Sequence, residues 1–205
     1  GTIYEANYEN FNAASGKLII KGVEVHPGTA KDIMVNSILV ANEFISSLPA
    51  EMIPAKTEEY DGFIHVDSIK GSTDETVLEF IIRDHNKNLL EDKKDLIKEA
   101  VNKLTKKYPT AQLELKLHDD YRNMKEYFLK DMSLIEHLNK AYLKAKVPLK
   151  YTPIRGGTDG ANITFLGLPC PNLGVGDFNA HGRFEIVSLT QMKKMVEILK
   201  EIYKI

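Results

Sequence analysis

Between Lys17 and His118, strand and helix signals follow one another in an order that few folds accept. Lys17 to Val25 is rich in Ile and Val and reads as a strand. Met34, Ile38, Ala41, Ile45 and Leu48 then recur at spacings of four and three, the pattern of one helix face, and Pro49 stops that helix. Gly62 to Lys70 and Thr76 to Asp84 read as strands joined by the turn Gly71-Ser72-Thr73-Asp74. A second helix places Ile97, Val101, Leu104 and Tyr108 on its buried face. Ala111 to His118 then alternates, with Leu113, Leu115 and Leu117 on one side. The order βαββαβ is the ferredoxin-like split unit, an α+β arrangement in which both helices cover one face of an antiparallel sheet.

That layout fixes the two sides of the third strand. Leu78, Phe80 and Ile82 share the side suited to the helix-covered core, so Arg83 points the other way with Val77, Glu79 and Ile81. An arginine on the open sheet face reads either as a solvated strand end or as a contact for a ligand or neighbouring domain.

Beyond Asp131 the pattern changes. Leu134, Leu138, Ala141, Tyr142 and Ala145 make an amphipathic helix ended by Pro148. A glycine-rich stretch follows, Pro153-Ile154-Arg155-Gly156-Gly157-Thr158-Asp159-Gly160, then a short helix and the turn Gly167-Leu168-Pro169. The last helix carries Leu189, Met192, Val196, Leu199 and Tyr203 on one face. These are α/β pieces with only one or two short strands, too little sheet to cover their helices.

Composition removes several function classes. The 205 residues are 43% hydrophobic, enough for one core or two small ones, and 27 Lys and Arg nearly balance 29 Asp and Glu. No basic stripe marks a nucleic-acid binder, and a base-stacking sheet would need exposed aromatics where Phe63 and Phe80 stand almost alone. No apolar run approaches a membrane span, and Gly1-Thr2-Ile3-Tyr4-Glu5 has neither an initiator Met nor signal-peptide form. Cys170 is the sole cysteine, which suits a reducing cytoplasmic setting.

Three groups could carry chemistry. Asp177, His181 and Glu185 lie four apart, but Gly176, Asn179 and Gly182 favour a loop, so His181 reads better as one ligand of a site completed elsewhere. Arg155-Gly156-Gly157-Thr158 reads either as a structural turn or as an anion cradle with a bidentate arginine, and it is no Walker loop. His26 precedes Pro27-Gly28, which set a turn, and Thr29, which suits a helix cap. His26 itself reads as a structural histidine or as a donor to a developing oxyanion.

Together these segments resemble the peptidase T family of tripeptide aminopeptidases, within the co-catalytic zinc peptidases. The resemblance rests on Phe11-Asn12-Ala13-Ala14-Ser15, Val25-His26-Pro27-Gly28-Thr29-Ala30-Lys31, Ile81-Ile82-Arg83-Asp84 and Tyr121-Arg122-Asn123-Met124. Its most specific part is Pro153-Ile154-Arg155-Gly156-Gly157-Thr158-Asp159-Gly160-Ala161 followed by Gly167-Leu168-Pro169-Cys170-Pro171-Asn172. It implies an end of an N-terminal catalytic segment over residues 1–14, a lid or dimerisation domain over 15–122, and the C-terminal part of a zinc-peptidase α/β catalytic domain over 123–205. By the same resemblance His26 is the catalytic lid histidine, Arg83, Asn123, Arg155, Gly157 and Thr158 bind substrate, and His181 is a metal ligand. It implies a tripeptide substrate, two zinc ions in the intact enzyme and a homodimer through the lid.

The family's other metal ligands and its general-base glutamate all precede the lid and have no counterpart here. The resemblance therefore implies an enzyme's C-terminal portion that is inactive by itself. The alternative is a non-catalytic dimerisation or peptide-binding module of ferredoxin-like topology.

Overall fold

The computed structural model describes residues 1–204 and divides into two units, one inserted into the other. After a three-residue strand, β1 (Glu5–Asn7), the chain enters a contiguous unit, Phe11–Tyr121, and then returns to the first unit, Gly1–Asn10 with Arg122–Ile205.

The contiguous unit is an antiparallel sheet of β2 (Asn12–Lys21), β3 (Phe63–Gly71), β4 (Glu75–Asp84) and β5 (Gln112–Tyr121). Its order is β3-β4-β2-β5, the ferredoxin-like arrangement expected from the alternation of signals. Helices α1 (Ser37–Ser47) and α2 (Lys87–Lys107) pack on it, and one core cluster joins Leu18, Ile20, Leu78, Phe80 and Ile82 to Val40 and Phe44 of α1 and Ile97, Val101 and Leu104 of α2. β2 and β4 pair without a slip from Asn12↔Asp84 to Lys21↔Glu75. Gly16 stands opposite Phe80, and a Cβ there would come within 2.1 Å of the ring, so the glycine is the space into which Phe80 packs.

Several boundaries differ from the sequence reading. β2 begins at Asn12, five residues before Lys17, and ends at Lys21; the Gly22 amide still reaches the Asp74 carbonyl at 2.6 Å, and Val23 then pairs with Val35 outside the sheet. α1 starts only at Ser37: Asn36 caps it, its Oδ1 accepting the Ile38 amide at 2.9 Å, so Met34 lies ahead of the helix. Thr29, expected to cap that helix, instead sits in a 3-10 turn, Pro27–Thr29. The buried face of α1 is Ser37, Val40, Ala41 and Phe44, while Ile38 is exposed. α2 meets expectation at Ile97, Val101 and Leu104 and buries two lysines besides. Lys93 Nζ donates to Asp84 Oδ2 at 2.6 Å, and Lys94 bridges Glu91 and Asp119, each at 2.8 Å. These cations lose water and gain carboxylates, which is what makes their burial tolerable.

In the other unit β1 is the central strand, parallel to β6 (Lys150–Tyr151) and antiparallel to β7 (Asn172–Leu173). Around it stand α3 (Lys125–Phe128), α4 (Ser133–Lys144), α5 (Asp159–Phe165) and α6 (Leu189–Tyr203), with a hairpin of β8 (Asp177–Phe178) and β9 (Ile186–Val187). One cluster gathers Ile3, Tyr142, Met195 and Ile198, and a second gathers Met124, Phe128, Ile135, Leu138 and Ala161. α4 buries Leu138, Ala141 and Tyr142 as expected. α6 does not follow the sequence reading: Met195 and Ile198 go inward, and Leu189, Met192, Val196, Leu199 and Tyr203 are exposed. The helix carries two neighbouring apolar stripes, and it is the one with Met195 and Ile198 that packs with Ile3 and Tyr142. No helix of the described residues is long and apolar enough to cross a membrane.

Candidate functional site

The seven residues singled out from sequence fall into two sets. His26 and Arg83 belong to the contiguous unit, and Asn123, Arg155, Gly157, Thr158 and His181 to the other.

His26 is exposed at the head of the 3-10 turn, with φ −57° and ψ 124°. Its Nδ1 accepts the Gly28 amide at 3.0 Å, and its carbonyl accepts the Thr29 amide at 2.9 Å and the Thr29 hydroxyl at 3.2 Å. A backbone N–H can only donate, so Nδ1 is the accepting nitrogen and the neutral ring carries its proton on Nε2. The turn thus presents an N–H donor at the protein surface.

Arg83 does lie on the sheet side opposite the core, yet its side chain is only 13% exposed. Nη1 donates to the carbonyls of Ala14 and Ile82, each at 2.9 Å, and approaches Asp120 Oδ2 at 3.5 Å. The guanidinium stands 5.2 Å from the Tyr121 ring centroid, and Ser15 Oγ holds Asp120 from its other oxygen at 2.8 Å. Burial pushes the Tyr121 phenol up, and the neighbouring Arg83 cation works in the opposite direction. This face is a small polar network built around one arginine; alternation located Arg83, but apart from the Ile82 carbonyl its partners come from β2 and β5.

Asn123 is buried. Its Oδ1 accepts the amides of Asn10 at 3.2 Å and Lys125 at 2.9 Å. Asn10 answers in kind, its Nδ2 donating to the Arg122 carbonyl at 3.1 Å and its Oδ1 accepting the Met124 amide at 2.9 Å. Sequence reasoning passed over Asn10, although it lies one residue before the inserted unit as Asn123 lies two after it. This pair locks together the two strands of chain that enter and leave that unit.

The glycine loop resolves into a helix cap. Thr158 Oγ1 accepts the Ala161 amide at 3.2 Å, opening α5, and also accepts Asn172 Nδ2 at 3.2 Å. Gly157 is exposed beside it, while Gly160 is buried with the Cys170 carbonyl 2.6 Å from where a Cβ would stand. Glycine there lets α5 press against the Cys170-Pro171-Asn172 segment. Arg155 is half-buried just after Ile154, whose amide donates to the Glu9 carbonyl at 2.9 Å. Arg122 lies over the Phe165 ring at 4.0 Å from its centroid.

His181 is exposed between β8 and β9, at φ +61°. Asp177 Oδ1 is engaged by the Gly1 amine at 2.5 Å. Among the described residues no group of three or more His, Cys, Asp or Glu side chains is placed to hold a metal ion. The residues present therefore do not fit a metal centre by themselves, and Asp177, His181 and Glu185 do not form one.

The chain belongs to the peptidase dimerisation domain family: residues 8–112 match its model, a span that holds β2, β3, β4 and both helices of the contiguous unit. Peptidase T of Clostridium perfringens is 47% identical over all 205 residues, and Peptidase T of Halothermothrix orenii is 45% identical over the same span. The chain covers 50% of each of those proteins, so it spans about half the length of the curated relatives it matches. The fold recurs in a tripeptidase from Staphylococcus aureus, at TM-score 0.85 and 18% identity over 100% of this chain and 54% of that one. It recurs in aminopeptidase PepT from Bacillus cereus, at TM-score 0.82 and 22% identity over 98% and 54%. A Bacillus subtilis protein described as a dinuclear metal binding peptidase of the M20 family shares it at TM-score 0.67 and 13% identity, over 98% and 52%.

Proposed function

We propose that this chain is the C-terminal half of a cytoplasmic tripeptide aminopeptidase, contributing substrate-holding groups and an oxyanion donor. The observation that carries the reading is 47% identity to a Peptidase T across both units and every residue of the chain. On this reading the contiguous unit is the lid and the other unit is part of the catalytic domain. A zinc pair belongs to the longer protein, with His181 one ligand among several supplied from outside these 205 residues.

The residues of this chain have distinct tasks. His26 Nε2–H donates to the carbonyl oxygen as it gains negative charge, a contact stronger in the transition state than in the bound substrate. Arg155 and the Gly157-Thr158 amides face the carboxylate or carbonyl of the tripeptide, and a guanidinium suits a carboxylate because its N–H groups form a matching fork. Arg83 and Asn123 contribute from frames already rigid, Arg83 through the Ala14 and Ile82 carbonyls and Asn123 through the Asn10 amide. We also propose a homodimer through the contiguous unit, in keeping with the description of the family it matches.

Tripeptide hydrolysis by the longer protein, with and without chelator, tests the reading. The longer protein is expected to release the N-terminal residue in a metal-dependent way, and the 205-residue chain to be inactive. His26→Ala in the longer protein should lower kcat by about 10²- to 10³-fold. Metal-dependent turnover by the 205-residue chain would overturn the split-site reading. Sedimentation of the chain tests the dimer, and a monomer at high concentration would remove it.

A further inference from the structure

The turn after β2 holds more than a histidine. We propose that Gly28 is a positioning residue that sets both the tautomer and the aim of the His26 ring. The proposal rests on the reading of His26 as the oxyanion donor and adds how the chain makes it one.

Two observations carry it. The first is the bond from the Gly28 amide to Nδ1 at 3.0 Å. An imidazole free in solution exchanges its proton between two nitrogens, and only one tautomer points an N–H outward at a given ring orientation. Because the amide can only donate, it excludes a proton from Nδ1 and leaves the hydrogen on Nε2.

The second observation is steric. A Cβ built on Gly28 would lie 3.1 Å from both Cε1 and Nδ1 of His26, closer than carbon ordinarily tolerates. The imidazole lies over the glycine in space that any other residue fills. No positive φ demands glycine at this position, so the backbone does not explain its presence. Pro27 completes the device by fixing the turn at its first residue. The ring is therefore held from below by a hydrogen bond and by the absence of a methyl group, with its Nε2 edge turned to the surface. The ligand class that fits is an oxygen acquiring negative charge, which gains from an N–H already oriented and needs no proton transfer.

Long-range ¹H–¹⁵N correlation spectra of the ¹⁵N-labelled 205-residue chain test this directly, with His26→Gln used to assign the ring. The expected result is a His26 Nδ1 resonance of the unprotonated type paired with a protonated Nε2. In Gly28→Ala both resonances should move toward the averaged values of a free imidazole, while the circular dichroism and melting of the chain stay unchanged. In the longer enzyme Gly28→Ala should lower kcat about tenfold and leave KM within about twofold, the signature of a contact made only in the transition state. A proton on Nδ1, or averaged values already present in the unsubstituted chain, would overturn the proposal. So would an unchanged kcat in Gly28→Ala beside a large loss in His26→Ala. If the spectra are as expected but His26→Ala keeps full activity, the oxyanion reading falls while the positioning of the ring by Gly28 stands.

Discussion

The two units spend their apolar residues differently. In Phe11–Tyr121, four strands, each of nine or ten residues, give two helices enough sheet to lie on, and Leu18, Phe80, Ile82, Phe44 and Ile97 are all essentially inaccessible. In the other unit, strands of two or three residues support four helices, and Leu189, Met192, Val196 and Leu199 line α6 in the open. Helix faces of that kind need a cover, and the strands of this unit are too short to supply one. The inserted unit closes its own core, while the surrounding unit leaves an apolar stripe of α6 exposed.

The most severe way to break the contrast is inside the inserted sheet. Gly16→Val should cost at least about 3 kcal/mol, because no rotamer of the β-branched residue clears the Phe80 ring. Urea titration checks it, and Phe80→Ala in the same chain should recover part of the loss. Without such recovery, Phe80 is not the obstacle. On α6 the two stripes should separate sharply. Ile198→Ala is expected to destabilise by about 2–5 kcal/mol. Val196→Ala one turn face away should stay within about 0.5 kcal/mol of the parent chain. Similar losses at both sites would mean that the outer stripe is covered in solution.

The smallest expected effect is electrostatic. Hydrogen bonds from Lys107 and Tyr108 to Glu43, at 2.6 and 2.7 Å, hold its carboxyl below the usual carboxylate range. The folded pKa lies under the unfolded one, so this contribution is complete above the unfolded value, about 4.3, and is lost as pH falls through the folded value. Melting curves between neutral and acidic pH should show a shallower acid decline for Glu43→Gln than for the parent. The exposure of the pair keeps the difference slight.

Much of this was legible before any coordinate. Alternation located the core side of β4 and the side bearing Arg83, because a period of two leaves no freedom once one face is buried. The helix-face readings were weaker for a physical reason. α1 and α6 carry apolar residues on more than one stripe, and periodicity cannot choose between stripes that tertiary partners decide. Asn36 and Asn86 each start a helix through a side-chain oxygen, and the Asn36 cap, once recognised, moves the start of α1 past Met34. The frames around the site were less legible still. Asp120, Tyr121 and Asn10 gain their roles from residues about 40 to 115 positions away, and no local spacing reports such pairs.

The placement of β1 has a consequence in time. Glu5 pairs with Lys150 on one side and Ala6 with Leu173 on the other, so this central strand emerges from the ribosome long before either neighbour. At about 5–20 residues per second, the interval is on the order of ten seconds. During it, Phe11–Tyr121 can complete every strand pairing it will ever make, since all of its partners lie within its own stretch of chain. The nascent protein thus carries a finished sheet behind a strand whose two edges still await partners, and the quality of that interval depends on how well β1 resists other edges.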